Sequence, residues 1–192
     1  MGNNFDMEEI NRIREERHAE LKSRIKLAKE RDMHESFIRF LEAYDNYEAE
    51  DKNPMIFHEG ANEEQIAEYE KELDLKIPEY YRKILKFSNG IDAIEAGVFF
   101  YGVNKGDKNS FMSVTNPKEF QDDYNIEIPV EIDISDRLLI IGDTFDPALC
   151  INLTNQEIST WDHEFNNVCC YDDFFSFLEM GVIDYIMHKN EE

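Results

Sequence analysis

Cysteine is scarce in this chain: there are three in 192 residues, with Cys169 and Cys170 adjacent. An odd number so placed excludes a disulfide framework and reads as reduced thiols. Neighbouring side chains of a strand leave on opposite faces, so one of the adjacent pair is expected to be buried and the other partly exposed. No run of about eighteen apolar residues occurs, which excludes a hydrophobic membrane-spanning helix. An apolar leader is missing too, since charge is dense from Asp6 onward, and the expectation is a soluble, cytoplasmic protein. Glycine and proline are both absent from Asn3 to Asn53. Cations are nearly absent from Glu119 to Glu192, where only Arg137 and Lys189 face eighteen carboxylates. Such a surface repels nucleic acid and anionic membrane.

Carboxylates are what the chain has in excess. Its formal charge is −23, spread unevenly: residues 1 to 31 carry 8 basic and 7 acidic side chains, and residues 32 to 192 carry 12 basic against 36 acidic, a net −24. Solubility alone accounts for many acidic surfaces. The alternative is attraction of a cationic partner, felt over roughly a Debye length of 8–10 Å. A content of 42% hydrophobic and 12% aromatic residues is ample for a packed core.

The stretch without glycine or proline is rich in Glu, Arg, Lys, Leu and Ile, which predicts one long helix or two in tandem with a bend near Asp32 to His34. Its first apolar stripe is thin. Ile10, Ile13, Leu21, Ile25 and Ala28 keep helical spacing only if Arg17 fills a gap, and so narrow a face is marginal unless it packs on something. Beyond Arg31 the stripe thickens through Phe37, Ile38, Phe40, Leu41, Tyr44 and Tyr47, so this half is expected to dock. Pro54 and Gly60 mark the connection onward. The predicted organisation is a helical extension over 1–53 and a domain over 54–192 with a core of its own.

Asn62 to Gly90 is the most legible segment. Asn62 with Gln65 forms a capping-box pattern, followed by Ile66, Tyr69 and Leu73 at helical spacing. Leu75, Ile77 and Pro78 interrupt that helix, and Pro78 suits the opening of the next, where its missing N–H is not needed. Tyr81, Ile84 and Leu85 form a second stripe, and Asn89-Gly90 supplies residues that tolerate the left-handed conformation ending a helix. Strands are predicted over Gly97 to Val103, Phe111 to Val114, Leu138 to Ile141, Leu149 to Leu153, Ile158 to Trp161 and Val168 to Cys170. A short helix is expected over Pro117 to Tyr124 and a closing helix over Tyr171 to Met187. Helices, then a meander of strands, then a helix is an α+β order with an antiparallel sheet.

The amphipathic helix, the Leu75-x-Ile77-Pro78 break, Tyr81 three residues on and the closing Asn89-Gly90 resemble the opening of the SUKH superfamily. Asp136 to Asp143, a hydrophobic strand ending at Gly142, then a turn, a strand over Leu149 to Leu153 and the Trp161-bearing strand are similar to that superfamily's second block. The resemblance covers residues 54 to 188. It implies an antiparallel α+β domain with Trp161 on a core strand, and a role without catalysis, because the superfamily contains fungal cell-wall regulators and many bacterial immunity proteins against secreted toxins.

Catalytic and metal constellations are weak. Asp162, His163, Glu164, Cys169 and Cys170 lie close in sequence, but no Cys-x-x-Cys, His-Glu-x-x-His or EF-hand spacing is present. Pairing His163 with Cys169 or Cys150 as a nucleophile lacks an orienting acid. Gly97, Gly102 and Gly106 are too dispersed to cradle phosphate. The expectation is therefore no enzyme, no cofactor and no metal.

What remains is binding. The resemblance implies an immunity protein that neutralises a cognate toxin domain by occlusion, and the charge fits a cationic nuclease as that toxin. Turn and strand-end positions single out Asp143, Asp146, Asp162, Glu164, Asp172 and Asp173 as contact acids. The alternative is a regulatory scaffold using the N-terminal helix to recruit partners or to form a homodimer. Neither reading involves direct contact with nucleic acid or membrane.

Overall fold

The computed structural model describes residues 7–47, 53–103, 112–124, 126–129, 132–144, 148–162 and 167–189. Two helices form from the glycine- and proline-free start: α1 (Met7–Glu30) and α2 (Glu35–Asn46). Between them Asp32 adopts a φ of 51°, and His34 caps α2 by accepting the Ser36 N–H on Nδ1 at 3.2 Å. After the two-residue strand β1 (Ile56–Phe57) come α3 (Glu63–Leu73) and α4 (Glu79–Phe87). The capping box is complete, with Gln65 N–H on Asn62 Oδ1 at 2.9 Å and Asn62 N–H on Gln65 Oε1 at 2.8 Å. Pro78 stands at the N-cap of α4, one position earlier than expected, and its carbonyl accepts the first amides of the helix from Tyr81 and Arg82.

Asn89 does not end that helix. Positive φ falls on Gly90, at 116°, while Asn89 is buried and its Oδ1 accepts the Val103 N–H at 2.7 Å. Residue type alone predicts a cap at this short polar residue, whereas tertiary contact uses it as a clamp on a distant segment.

The thin stripe of α1 docks with help from cations. Leu21 and Ala28 are buried and Ile25 packs partly, while Ile13 is exposed. Arg24 donates to the Phe87 carbonyl at 2.9 Å and Arg31 to the Lys86 carbonyl at 3.3 Å. These carbonyls end α4, where a helix leaves its oxygens without partners and its dipole is negative, so guanidinium groups are well matched to them. The Arg24 guanidinium also lies 5.0 Å from the Phe57 ring centre. Helix α2 goes deeper: Phe37, Phe40, Leu41 and Tyr44 are fully buried in the same core as Ile66, Tyr81, Ile84 and Phe174. The core thus runs across residue 53.

The remaining elements are β2 (Ile91–Ala93), β3 (Val98–Phe100), β4 (Ser113–Thr115), α5 (Pro117–Tyr124), β5 (Leu138–Asp143), β6 (Ala148–Asn152), β7 (Ile158–Asp162), β8 (Asn167–Tyr171), α6 (Phe174–Phe177) and α7 (Asp184–Lys189). A 3₁₀ turn links β2 to β3, and a π-helical stretch, Leu178–Ile183, joins α6 to α7 where one continuous helix was expected. All eight strands form one antiparallel sheet in the order β1-β2-β3-β5-β6-β7-β8, with β4 also on β5. The fold is α+β. Strands β1 and β2, two and three residues long, escaped the sequence reading because so short a run carries no periodicity.

β5 is the hub. β4 pairs with its first half (Thr115 with Leu138, Ser113 with Ile140) and β3 with its end (Phe100 with Gly142). Where the two partners part, β5 bulges at Ile141, between the pairs Ile140–Cys150 and Gly142–Leu149. The Tyr81 hydroxyl reaches this point, 3.0 Å from the Ile141 carbonyl and 3.1 Å from that of Tyr101. Only glycine fits at 142, since a Cβ there would sit 2.0 Å from the Phe99 carbonyl.

Alternation along the central strands divides the sheet into two faces. Leu139, Ile141, Leu149, Ile151 and Ile158 enter the main core under the helices. Leu138, Cys150 and Trp161 face the other way, covered by Phe120 of α5 and Ile126. Trp161 stacks on Phe120 with ring centres 4.7 Å apart and 9° between planes, and its indole N–H donates to Ser159 Oγ at 2.8 Å.

Candidate functional site

Strand register decides which of the singled-out acids can act together. Asp143 pairs with Ala148, Ala148 with Trp161 and Trp161 with Val168, so the β5–β6 and β7–β8 connections lie at one end of the sheet. Asp162, paired with Asn167, belongs to that end. It stands two strands from Asp143, about 10 Å by the usual strand spacing. Asp172 follows Tyr171, whose partner is Ile158, and therefore leaves from the opposite end. Four residue steps separate the two ends along β7, about 13 Å. The candidate acids do not form one patch. Asp146 and Glu164 lie outside the described residues.

Nor are the described acids equivalent. Asp143 accepts a hydrogen bond from the Tyr101 hydroxyl. Asp162 is half-buried at its strand end. Asp173 is the N-cap of α6, its Oδ1 accepting the Ser176 N–H at 2.7 Å, whereas Asp172 is exposed. Short acids favour turns and caps for the same reason that they looked like contact residues, because their oxygens sit close to the backbone.

The suspected chemical groups separate as well. Cys150 is fully buried, and burial pushes its thiol far above the ordinary range, so it is no thiolate nucleophile. Cys169 and Cys170 are both exposed, correcting the expectation that one is buried: β8 is an edge strand, and none of its five residues is fully buried. Among the described residues no group of three His, Cys, Asp or Glu side chains is placed to hold a metal ion, and His163 lies outside them. No helix among them is long and apolar enough to cross a membrane.

Two groups passed over in the sequence reading stand out in three dimensions. Glu70 of α3 is only 3% exposed. It receives Arg82 at 2.6 Å, Lys76 at 2.7 Å and the Ile77 N–H at 3.0 Å. Burial opposes its charge, and these hydrogen bonds together outweigh burial and hold its carboxyl below the ordinary range. Glu70 thereby locks the break between α3 and α4. The second is a cavity between the α1–α2 turn and α4, lined in part by His34, Tyr80 and Phe175. Glu70 stands four residues after Ile66 and three before Leu73, on the inward face of α3, although its charge alone suggests a surface position, and nothing local brings residue 34 beside residue 175.

No curated protein sequence matches the chain at a significant level. The sequence pattern that does match starts at the turn before α3 and ends inside the π-helical stretch, so it takes in the Glu70 lock, the bulged hub strand and the Trp161 strand, and leaves α1 and α2 outside. That pattern, matching residues 60–181 and so well over half of the chain, is that of the SMI1 / KNR4 family (SUKH-1), and the protein belongs to this family.

Proposed function

We propose that the protein is a non-enzymatic immunity protein, acting in the cytoplasm, that binds a cognate toxin domain and blocks it by occlusion. The observation that carries this reading is family membership joined to a net −24 over residues 32 to 192. A surface of that sign steers a cationic domain into contact, and a nuclease is the toxin class whose own substrate demands a basic cleft. Lasting affinity then comes from desolvated anchors at the interface centre. The exposed acids Asp172 and Asp173, together with Asp143, Asp146, Asp162 and Glu164, are the proposed steering groups.

A regulatory scaffold is the second reading, favoured by one observation. The first half of α1 leaves Ile13 exposed at 44%, on a helix outside the family-matched segment. That surface would recruit a partner or a second copy of the chain.

The deciding experiment is co-expression with the product of the adjacent gene, followed by titration of its toxic activity. Full inhibition near one equivalent, with a complex on size exclusion, is the expected result. Persisting activity under an excess of folded protein, with no complex, transfers the case to the scaffold.

A further inference from the structure

The cavity beside α4 has a volume of about 250 Å³. That lies below the ~300–1,000 Å³ of ordinary small-molecule sites and suits a single side chain. Met33, Phe37 and Ile84 supply apolar lining. Aromatic planes stand beside them: His34 is stacked on Phe175, 3.5 Å between ring centres, and Tyr80 is stacked on Phe174 at 5.6 Å. The charged lining groups are Asp32, Glu79 and Lys83. Glu79 shares its charge with Arg82 at 3.6 Å, while Asp32 makes no ion pair among the described residues. The Tyr80 hydroxyl is buried with no hydrogen-bond partner among the described residues. Burial, and after it the charge of Asp173, pushes that phenol upward.

We propose that this cavity is an anchor pocket for one arginine side chain of a basic protein partner. The owner of that arginine rests on the cationic-partner reading above, whereas the pocket's preference does not. An arginine is amphipathic in the way the lining is. Its three methylenes lie along Met33 and the partly exposed rings of Tyr80 and Phe175, its planar guanidinium lies against aromatic faces, and its N–H groups meet Asp32 and Glu79. Lys83 is the one opposing charge, and it makes no ion pair among the described residues, so it can turn towards solvent. One wall, Asp32 to Phe37, lies outside the family-matched segment 60–181, so the pocket is completed only by the docked N-terminal helices. This gives the extension a role in partner choice.

The test uses the full chain, ¹⁵N-labelled and titrated with N-acetyl-arginine amide, with N-acetyl-citrulline amide as the uncharged isostere. Saturable shifts are expected at Asp32 to Phe37, Tyr80 to Ile84 and Phe175, at least tenfold weaker for citrulline. Asp32→Asn, which keeps a residue tolerant of the left-handed backbone, is expected to weaken binding several-fold, and Lys83→Met to tighten it. No saturable shift at these positions, or equal binding of citrulline, overturns the pocket. In the second arm the double variant Asp32→Asn, Glu79→Gln is expected to raise the Kd for the cognate toxin domain tenfold or more. An unchanged Kd removes the pocket and leaves the immunity reading standing. If wild type binds no toxin while arginine amide titrates as expected, the pocket stands and the immunity reading falls.

Discussion

Glu70 and Arg82, twelve residues apart on consecutive helices, meet at 2.6 Å with the carboxylate buried. The pair closes the helix–proline–helix unit that opens the family-matched segment. Glu70→Gln is expected to destabilise the protein by about 3 kcal/mol at pH 7, the lower end for a broken buried pair, because Arg82 keeps Glu63 and Glu79 as partners. Since the folded-state carboxyl lies below its unfolded value, its contribution is present above that unfolded value, near pH 4, and is lost as pH falls through the folded one. The gap between wild type and variant should therefore narrow in acid. Urea unfolding followed from pH 7 to pH 3 checks this, and a constant gap would assign the cost to shape instead of charge.

Trp161 and Phe120 hold the second face of the sheet. Trp161→Ala is expected to cost about 3–5 kcal/mol as a buried aromatic deletion. Trp161→Phe keeps a ring against Phe120 but leaves the Ser159 hydroxyl without its indole donor, adding about 1 kcal/mol to the loss of ring area. Far-ultraviolet circular dichroism is the suitable probe, since Trp161 is the sole tryptophan and fluorescence would vanish with it. A cost under about 1 kcal/mol for the alanine variant contradicts a packing role.

We propose the division into 1–53 and 54–192 as one of sequence, and the shared core predicts that the two parts fold together. Removing 1–53 deletes Phe37, Phe40, Leu41 and Tyr44, each fully buried. At about 1.5–3 kcal/mol apiece the loss rivals the whole stability of a typical domain. The fragment 54–192 is expected to lose near-ultraviolet dichroism and cooperative melting, whereas removing only 1–20 should leave both. Cooperative unfolding of 54–192 within about 2 kcal/mol of the full chain would restore a self-sufficient domain.

The two ends of the sheet make separable claims on a cationic partner. Asp172→Asn with Asp173→Asn preserves the cap of α6, because asparagine caps as well as aspartate. This pair, just before Phe174 and Phe175, is expected to slow association with the toxin domain and to reduce its salt dependence. Asp143→Asn with Asp162→Asn should change association less, since the Asp143 carboxylate is already engaged by Tyr101. Stopped-flow association at low and physiological salt measures both. The reverse ranking would move the contact to the other end.

Local signals were strong where the physics is local. The capping box at Asn62, the Pro78 break and the α5 start need only nearby atoms to be satisfied, and the short apolar runs of β5 to β7 between turns mark strands buried on both faces. These were legible, as was the α+β order that they imply. Asn89 and Cys169 differ from expectation, and the candidate acids were left undivided, for one reason: their environment is set by what lies across from them. Residue type said that Asp143, Asp162 and Asp172 were near turns; strand pairing alone assigned them to opposite ends of the sheet. Glu70 shares the inward face of α3 with Ile66, and only the fold brings Arg82 and Lys76 onto its carboxylate. The charge excess and the helix-break pattern were properties of the sequence by itself. The meeting of Asp32, Tyr80 and Phe175 around one cavity was decided only by tertiary packing, because burying the stripe of α2 required it to lie against α4, and no periodicity in the chain records where two buried faces will meet.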